Sequence, residues 1–129
     1  MLNRVLTVKG SILKLRVATT PRERARGLMY DEHMAPDEGM LFEYPSERHL
    51  SFWMKNTKIP LSIAFINSKG IIQEIRDMQP FGLDSIRSAK PAQWALEVNR
   101  GWFDKHGVKV GDKINCVGKT IRIKITSTT

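Results

Sequence analysis

Apolar residues in this chain recur at a period of two, in short runs that turn residues cut off again and again. Leu13, Leu15 and Val17 are separated by Lys14 and Arg16, which places the apolar set on one face of a strand. Leu61, Ile63 and Phe65 alternate in the same way with Ser62, Ala64 and Ile66. Between such runs lie Lys9-Gly10, the segment Ala35-Pro36-Asp37-Glu38-Gly39, Asn67-Ser68-Lys69-Gly70, and Gly118. These residues supply the fixed or positive φ that tight turns require. The pattern predicts strands at about 3–9, 11–18, 40–43, 49–54, 61–66, 71–77 and 94–98, with a hairpin across 112–126. Residues 79–92, which contain Pro80, Gly82 and Pro91, read as the longest irregular loop.

Two helices interrupt the strands. Thr20 can cap the first, Pro21 suits its opening position, and Glu23 completes a capping box. Ala25, Leu28 and Met29 are then expected to share its buried face, with Gly27 placed mid-helix beneath a closely packed strand. The second is a turn from Gly101 to His106, stopped by Gly107. The expectation is a mainly β fold: a small closed or nearly closed β-barrel of about nine or ten short strands with two short helices.

Composition narrows the class. A chain of 129 residues with 41% hydrophobic and 26% charged residues fits one domain over 1–129 that buries a core. The longest nearly apolar stretch, Ile59 to Ile66, contains Pro60 and Ser62 and falls far short of the ~20 residues that span a bilayer. Arg4, Lys9, Lys14 and Arg16 break up the apolar N-terminal region, so it reads as a hairpin and not a secretory leader. The expected location is cytoplasmic, or exported if a leader has been removed. A single cysteine, Cys116, excludes an internal disulfide and a Cys-x-x-Cys pair, and it reads as a buried structural thiol.

Standard catalytic groupings are missing. His33, His49 and His106 have no zinc-ligand spacing, so no metal or cofactor is expected. Gly118-Lys119-Thr120 lacks the upstream glycine of a phosphate-binding loop, where Lys113 stands. No Gly-x-Ser-x-Gly elbow occurs. What remains is a polar constellation. Trp53-Met54-Lys55-Asn56-Thr57 runs from a strand into a turn, and Glu97 points away from the face of Trp94, Leu96 and Val98. A buried Glu97 needs a partner, for which Arg26 and Lys55 are the candidates. The candidate binding pocket, at the mouth of the barrel, is Arg26, Trp53, Lys55, Asn56 and Glu97.

Several motifs, in order, carry a family resemblance. They are Arg24-Ala25-Arg26-Gly27-Leu28-Met29-Tyr30, Glu38-Gly39-Met40-Leu41-Phe42, Phe52-Trp53-Met54-Lys55-Asn56-Thr57 with Ile59-Pro60-Leu61, Leu96-Glu97, and Val110-Gly111-Asp112. Over about residues 12–117 the chain is similar to the family called domain of unknown function 192. The resemblance implies a small, barrel-like β fold with short helices and no established reaction. Many members of that family resemble exported proteins with a leader. The family pattern has Asp after the Pro-Leu pair and often another near the hairpin, where this chain has Ser62 and Asn67. Carboxylate chemistry is therefore not carried over to those positions.

The net charge of +8 favours anionic partners. The leading expectation is a non-catalytic binding or interaction module for a small anionic ligand or an acidic protein segment. The alternative is an enzyme of hydrolase or lyase type, with Glu97 as acid/base, Lys55 and Arg26 stabilising negative charge and Asn56 orienting. A third reading is weak, sequence-independent nucleic-acid binding through Lys9, Lys14, Arg16, Arg22, Arg24 and Arg26, with no membrane partner. No aromatic residues are interleaved with that basic run.

Overall fold

The computed structural model describes residues 1–8, 11–115 and 123–126. Its elements run β1 (Leu2–Val8), β2 (Ser11–Ala18), α1 (Pro21–Arg26), β3 (Glu38–Arg48), β4 (Ser51–Phe52), β5 (Leu61–Ile66), β6 (Ile72–Met78), β7 (Ile86–Arg87), β8 (Ala92–Asn99), α2 (Trp102–Lys105), β9 (Lys113–Asn115) and β10 (Ile123–Thr126). The protein is mainly β with two short helices, as the alternation demands. The Lys9-Gly10 turn, Cys116 and Gly118 lie outside the described residues.

Eight strands form one sheet in the order β6-β5-β8-β3-β2-β1-β10-β9, and β4 and β7 form a separate pair. Most neighbours are antiparallel. The β2–β3 and β1–β10 pairs are parallel; α1 and its following segment connect the first pair, and all the other elements separate the second. The expected barrel is not what the ladder forms. The sheet does not close; among the described residues its two ends meet at one bridge, between Ile71 just before β6 and Lys113 of β9. Hydrogen bonds from Ile72 N to Asp112 O (2.9 Å) and from Ile114 N to Gly70 O (2.6 Å) support that contact.

Two cores sit on opposite faces of this sheet. The first joins Leu6, Leu13, Leu15, Leu41, Ile66, Ile72, Trp94, Leu96, Val98 and Ile114 with Trp102 and Phe103 of α2. Strands from both ends of the ladder contribute to it, so the sheet curls around this core. The second gathers Met40, Phe42, Leu61, Ile63, Phe65 and Ala95 from the other face. Leu28, Met34, Leu50, Met54 and Ile59 cover it from α1's exit and the connecting segments. β5, flanked by β6 and β8 and covered on both faces, is consequently buried at all six positions.

Candidate functional site

The capping box forms as its residues dictate. Thr20 Oγ1 accepts from Glu23 N at 3.1 Å, and Glu23 Oε1 accepts from Thr20 N at 3.2 Å. The helix ends earlier than expected, because Gly27 takes φ of +50° and caps it, a backbone state that glycine adopts without strain. The Phe42 ring lies 3.4 Å from where a Gly27 Cβ would stand, so a strand residue does pack over it. Ala25 is exposed and Leu28 buried; the turn at Gly27, not a helical stripe, delivers Leu28 to the core.

Beyond this turn the chain is tied to the Trp53–Thr57 segment. Tyr30 and Asn56 both have positive φ, 66° and 54°. Tyr30 N donates to Asn56 O, and Asn56 Nδ2 donates to Tyr30 Oη, each at 2.9 Å. The loop after β6 holds the same segment from the other side, with Met54 N bonded to Gly82 O and Phe81 N to Thr57 O.

These ties leave a cavity of about 300 Å³ between α1, the 51–57 segment and the second-core face of β3 and β8. It does not open into the core around which the sheet curls. Phe42, Phe52, Leu28 and Met54 form its apolar walls, and Arg24, Arg26, Tyr44, Trp53 and Glu97 its polar and amphipathic ones. The Phe42 and Phe52 rings meet edge to face at 5.0 Å. Glu97 is 4% exposed and stands in register with Met40 of β3 and Ile63 of β5. Burial pushes its carboxyl from an ordinary 4.5 up to about 8.

The expected partners of Glu97 are engaged elsewhere. Arg26 approaches Asp31 at 3.9 Å, and Lys55 stacks its ammonium 5.1 Å from the Trp53 ring. Among the described residues the Glu97 side chain has no hydrogen bond or ion pair. Arg26, Trp53 and Glu97 thus meet at one cavity, whereas Lys55 and Asn56 do not line it.

Two cavity residues escaped the sequence reading. Arg24 Nη1 donates to Thr19 O (2.7 Å) and Glu43 O (3.0 Å), and its guanidinium lies 4.6 Å over the Tyr44 ring. Arg48 stacks on the same ring at 4.7 Å. Burial raises the Tyr44 hydroxyl's pKa, opposed by Arg24 and Arg48 and reinforced by Glu97. Met40, Phe42 and Tyr44 keep one period-two series, and that was the available signal for Tyr44. Pro45 obscured it. The β3–β8 register shifts between Glu43 and Arg48, which lets a residue without an N–H sit within the strand. Arg24 had no such signal, since a cation in a short capped helix reads as solvent-facing.

The DUF192 family model, described as "Uncharacterized ACR", matches residues 4–116. The chain belongs to the DUF192 family. A solved structure named a "putative transcription regulator" from Sinorhizobium meliloti shares 39% identity with this DUF192 protein. Their TM-score is 0.77, and 86% of this chain and 88% of that chain are covered. A protein of unknown function from Novosphingobium aromaticivorans shares 32% identity, with a TM-score of 0.78 over 86% of this chain and 81% of its own. A comparison with curated proteins gives no match.

Ser62 and Asn67, where the resemblance implied Asp, both make hydrogen bonds within the fold. Ser62 Oγ donates to Asp77 (2.7 Å) and accepts from Gly101 N (3.3 Å). Asn67 Oδ1 accepts from Lys69 N and Ile71 N, closing the β5–β6 turn. His49 and His106 bond backbone carbonyls through Nδ1. Among the described residues no three His, Cys, Asp or Glu side chains converge as a metal site would need. No helix among them is long and apolar enough to cross a membrane.

Proposed function

We propose that this DUF192 protein is a binding module whose ligand enters the cavity between α1 and the sheet. One observation carries the reading: Glu97, buried and without a protein partner among the described residues, lines a cavity walled by aromatic rings. An unpaired carboxyl in such a place costs several kcal/mol when charged, and a bound molecule can supply the missing partner. A volume of about 300 Å³ favours a small ligand over an acidic protein segment. Its acceptor groups would meet Arg24 and Arg26.

A titration of the 15N-labelled protein with a chemically mixed fragment library tests this. Amide shifts at residues 24–29, 52–57 and 97 are expected. A library that leaves all of them unmoved sinks the proposal.

A second reading, acid/base catalysis by Glu97, draws on its carboxyl being pushed up to about 8, within reach of neutral-pH proton transfer. The cavity lining holds no second carboxylate or imidazole, which ranks binding first. Glu97→Gln with unchanged turnover on a hydrolase and lyase substrate panel counts against catalysis.

Nucleic-acid binding ranks last, although the Sinorhizobium neighbour is named for regulation. Lys14 pairs with Asp37 at 3.4 Å, Arg16 with Asp31 at 2.6 Å, and Arg26 with Asp31. Three of the run's six cations are therefore matched by two carboxylates of the acidic segment that follows it.

A further inference from the structure

The cavity's charges are arranged by depth. Glu97 is 4% exposed, whereas the Arg26 side chain is half exposed and Arg24 lies between solvent and the Tyr44 ring. Arg24 commits Nη1 to two backbone carbonyls. Among the described residues its Nε and Nη2 donate to nothing, so one edge of the guanidinium is left for an acceptor.

A plain anion satisfies the arginines but leaves Glu97 unpartnered. A plain cation satisfies Glu97 but must pass two guanidinium groups. A molecule with both charges, held apart by an apolar body, satisfies both ends. From this we infer that the ligand is a small zwitterion, entering with a protonated amine towards Glu97 and leaving a carboxylate or similar acceptor at the open edge of Arg24. Phe42 and Phe52 contact its body. A dry cavity of ~150 Å³ accepts a benzene ring, so about 300 Å³ suits one substituted ring.

The inference rests on the binding reading above and names its ligand class. Calorimetry at pH 7 with 4-(aminomethyl)benzoate, benzylamine and benzoate tests it. The zwitterion is expected to bind at least tenfold more tightly than either singly charged probe. An amine bound to Glu97 needs the carboxylate, yet a carboxyl with pKa about 8 is mostly protonated at pH 7. Binding should therefore release most of a proton per complex, read from two buffers of different ionisation enthalpy. Tyr44 and the two arginines are the other ionisable groups on the lining; guanidinium groups stay charged, and a raised tyrosine stays neutral at pH 7.

Glu97→Gln, which puts a neutral amide of the same shape where a mostly neutral carboxyl stands and should fold, is expected to abolish the proton release and weaken the zwitterion at least tenfold. Arg24→Gln should bring the zwitterion down to the level of benzylamine. Benzoate binding as tightly as the zwitterion overturns the inference, and so does binding without proton release. Failure of all three probes at millimolar concentration overturns it as well. The fragment titration separates the two levels: cavity shifts from uncharged or purely anionic fragments leave the binding reading standing while the zwitterion falls.

Discussion

Glu97 makes stability depend on pH in a direction opposite to most carboxylates. Its folded pKa is raised, from 4.5 to about 8, so between those values the folded state holds a proton that the unfolded state has released. Stability is fully present below about pH 4.5, falls as pH rises, and levels off above 8. At 1.36 kcal/mol per unit, the full loss is on the order of 5 kcal/mol. Glu97→Gln should remove this slope and be more stable than the parent at pH 8.5. Urea unfolding at pH 5, 6.5 and 8.5 checks it, and parallel curves for the two proteins would refute it. At this scale the sequence was half legible. The alternation in β8 placed Glu97 opposite Trp94, Leu96 and Val98, and that held. Lys55 and Asn56 looked like site residues because a cation and an amide stand together in a turn. In the structure Lys55 packs over Trp53, and Asn56 joins Tyr30 in a pair of left-handed residues; φ cannot be read from residue type alone.

Elements were more legible where their signals are local. The capping box fixed the start of α1 to the residue, and the alternating runs located β1, β2, β5 and β6. Signals that depend on distant partners were not readable. The irregular loop 79–92 contains β7, a two-residue strand that exists because β4 pairs with it. The junction between β6 and β9 is another such case. Gly70 has φ of +82°, and a Cβ there would stand 2.0 Å from Ile114 O. Gly70→Ala is expected to destabilise the protein by about 3 kcal/mol or more, through backbone strain plus displacement of β9. Gly101 is a matched control, with φ of +86° and nothing within 4 Å of its Cβ position. Gly101→Ala should cost only about 1 kcal/mol. Equal losses in denaturant unfolding would mean that the steric contact carries nothing.

Across the molecule, charge segregation in sequence becomes charge pairing in space. Residues 1–30 carry seven basic groups and one acid, and 31–50 carry six acids and one basic group. The fold lays Asp31 and Asp37 against Arg16, Arg26 and Lys14. Six free cations meeting six phosphates would give a log–log salt slope of about −5. With Lys14, Arg16 and Arg26 paired, duplex binding measured by fluorescence titration should show a slope no steeper than about −3. A steeper slope, or sequence discrimination, would restore the nucleic-acid reading.

The parallel pairing of β1 with β10 also sets an order of events during synthesis. A ribosome delivers the β1–β2 hairpin first, whereas β10, which fills the other side of β1, emerges more than a hundred residues later. Throughout that interval the nascent chain presents β1's outer row of amide and carbonyl groups, the kind of edge that invites pairing with another polypeptide. Translation that stalls after β8 would thus release a product with most of its strands and an unguarded border.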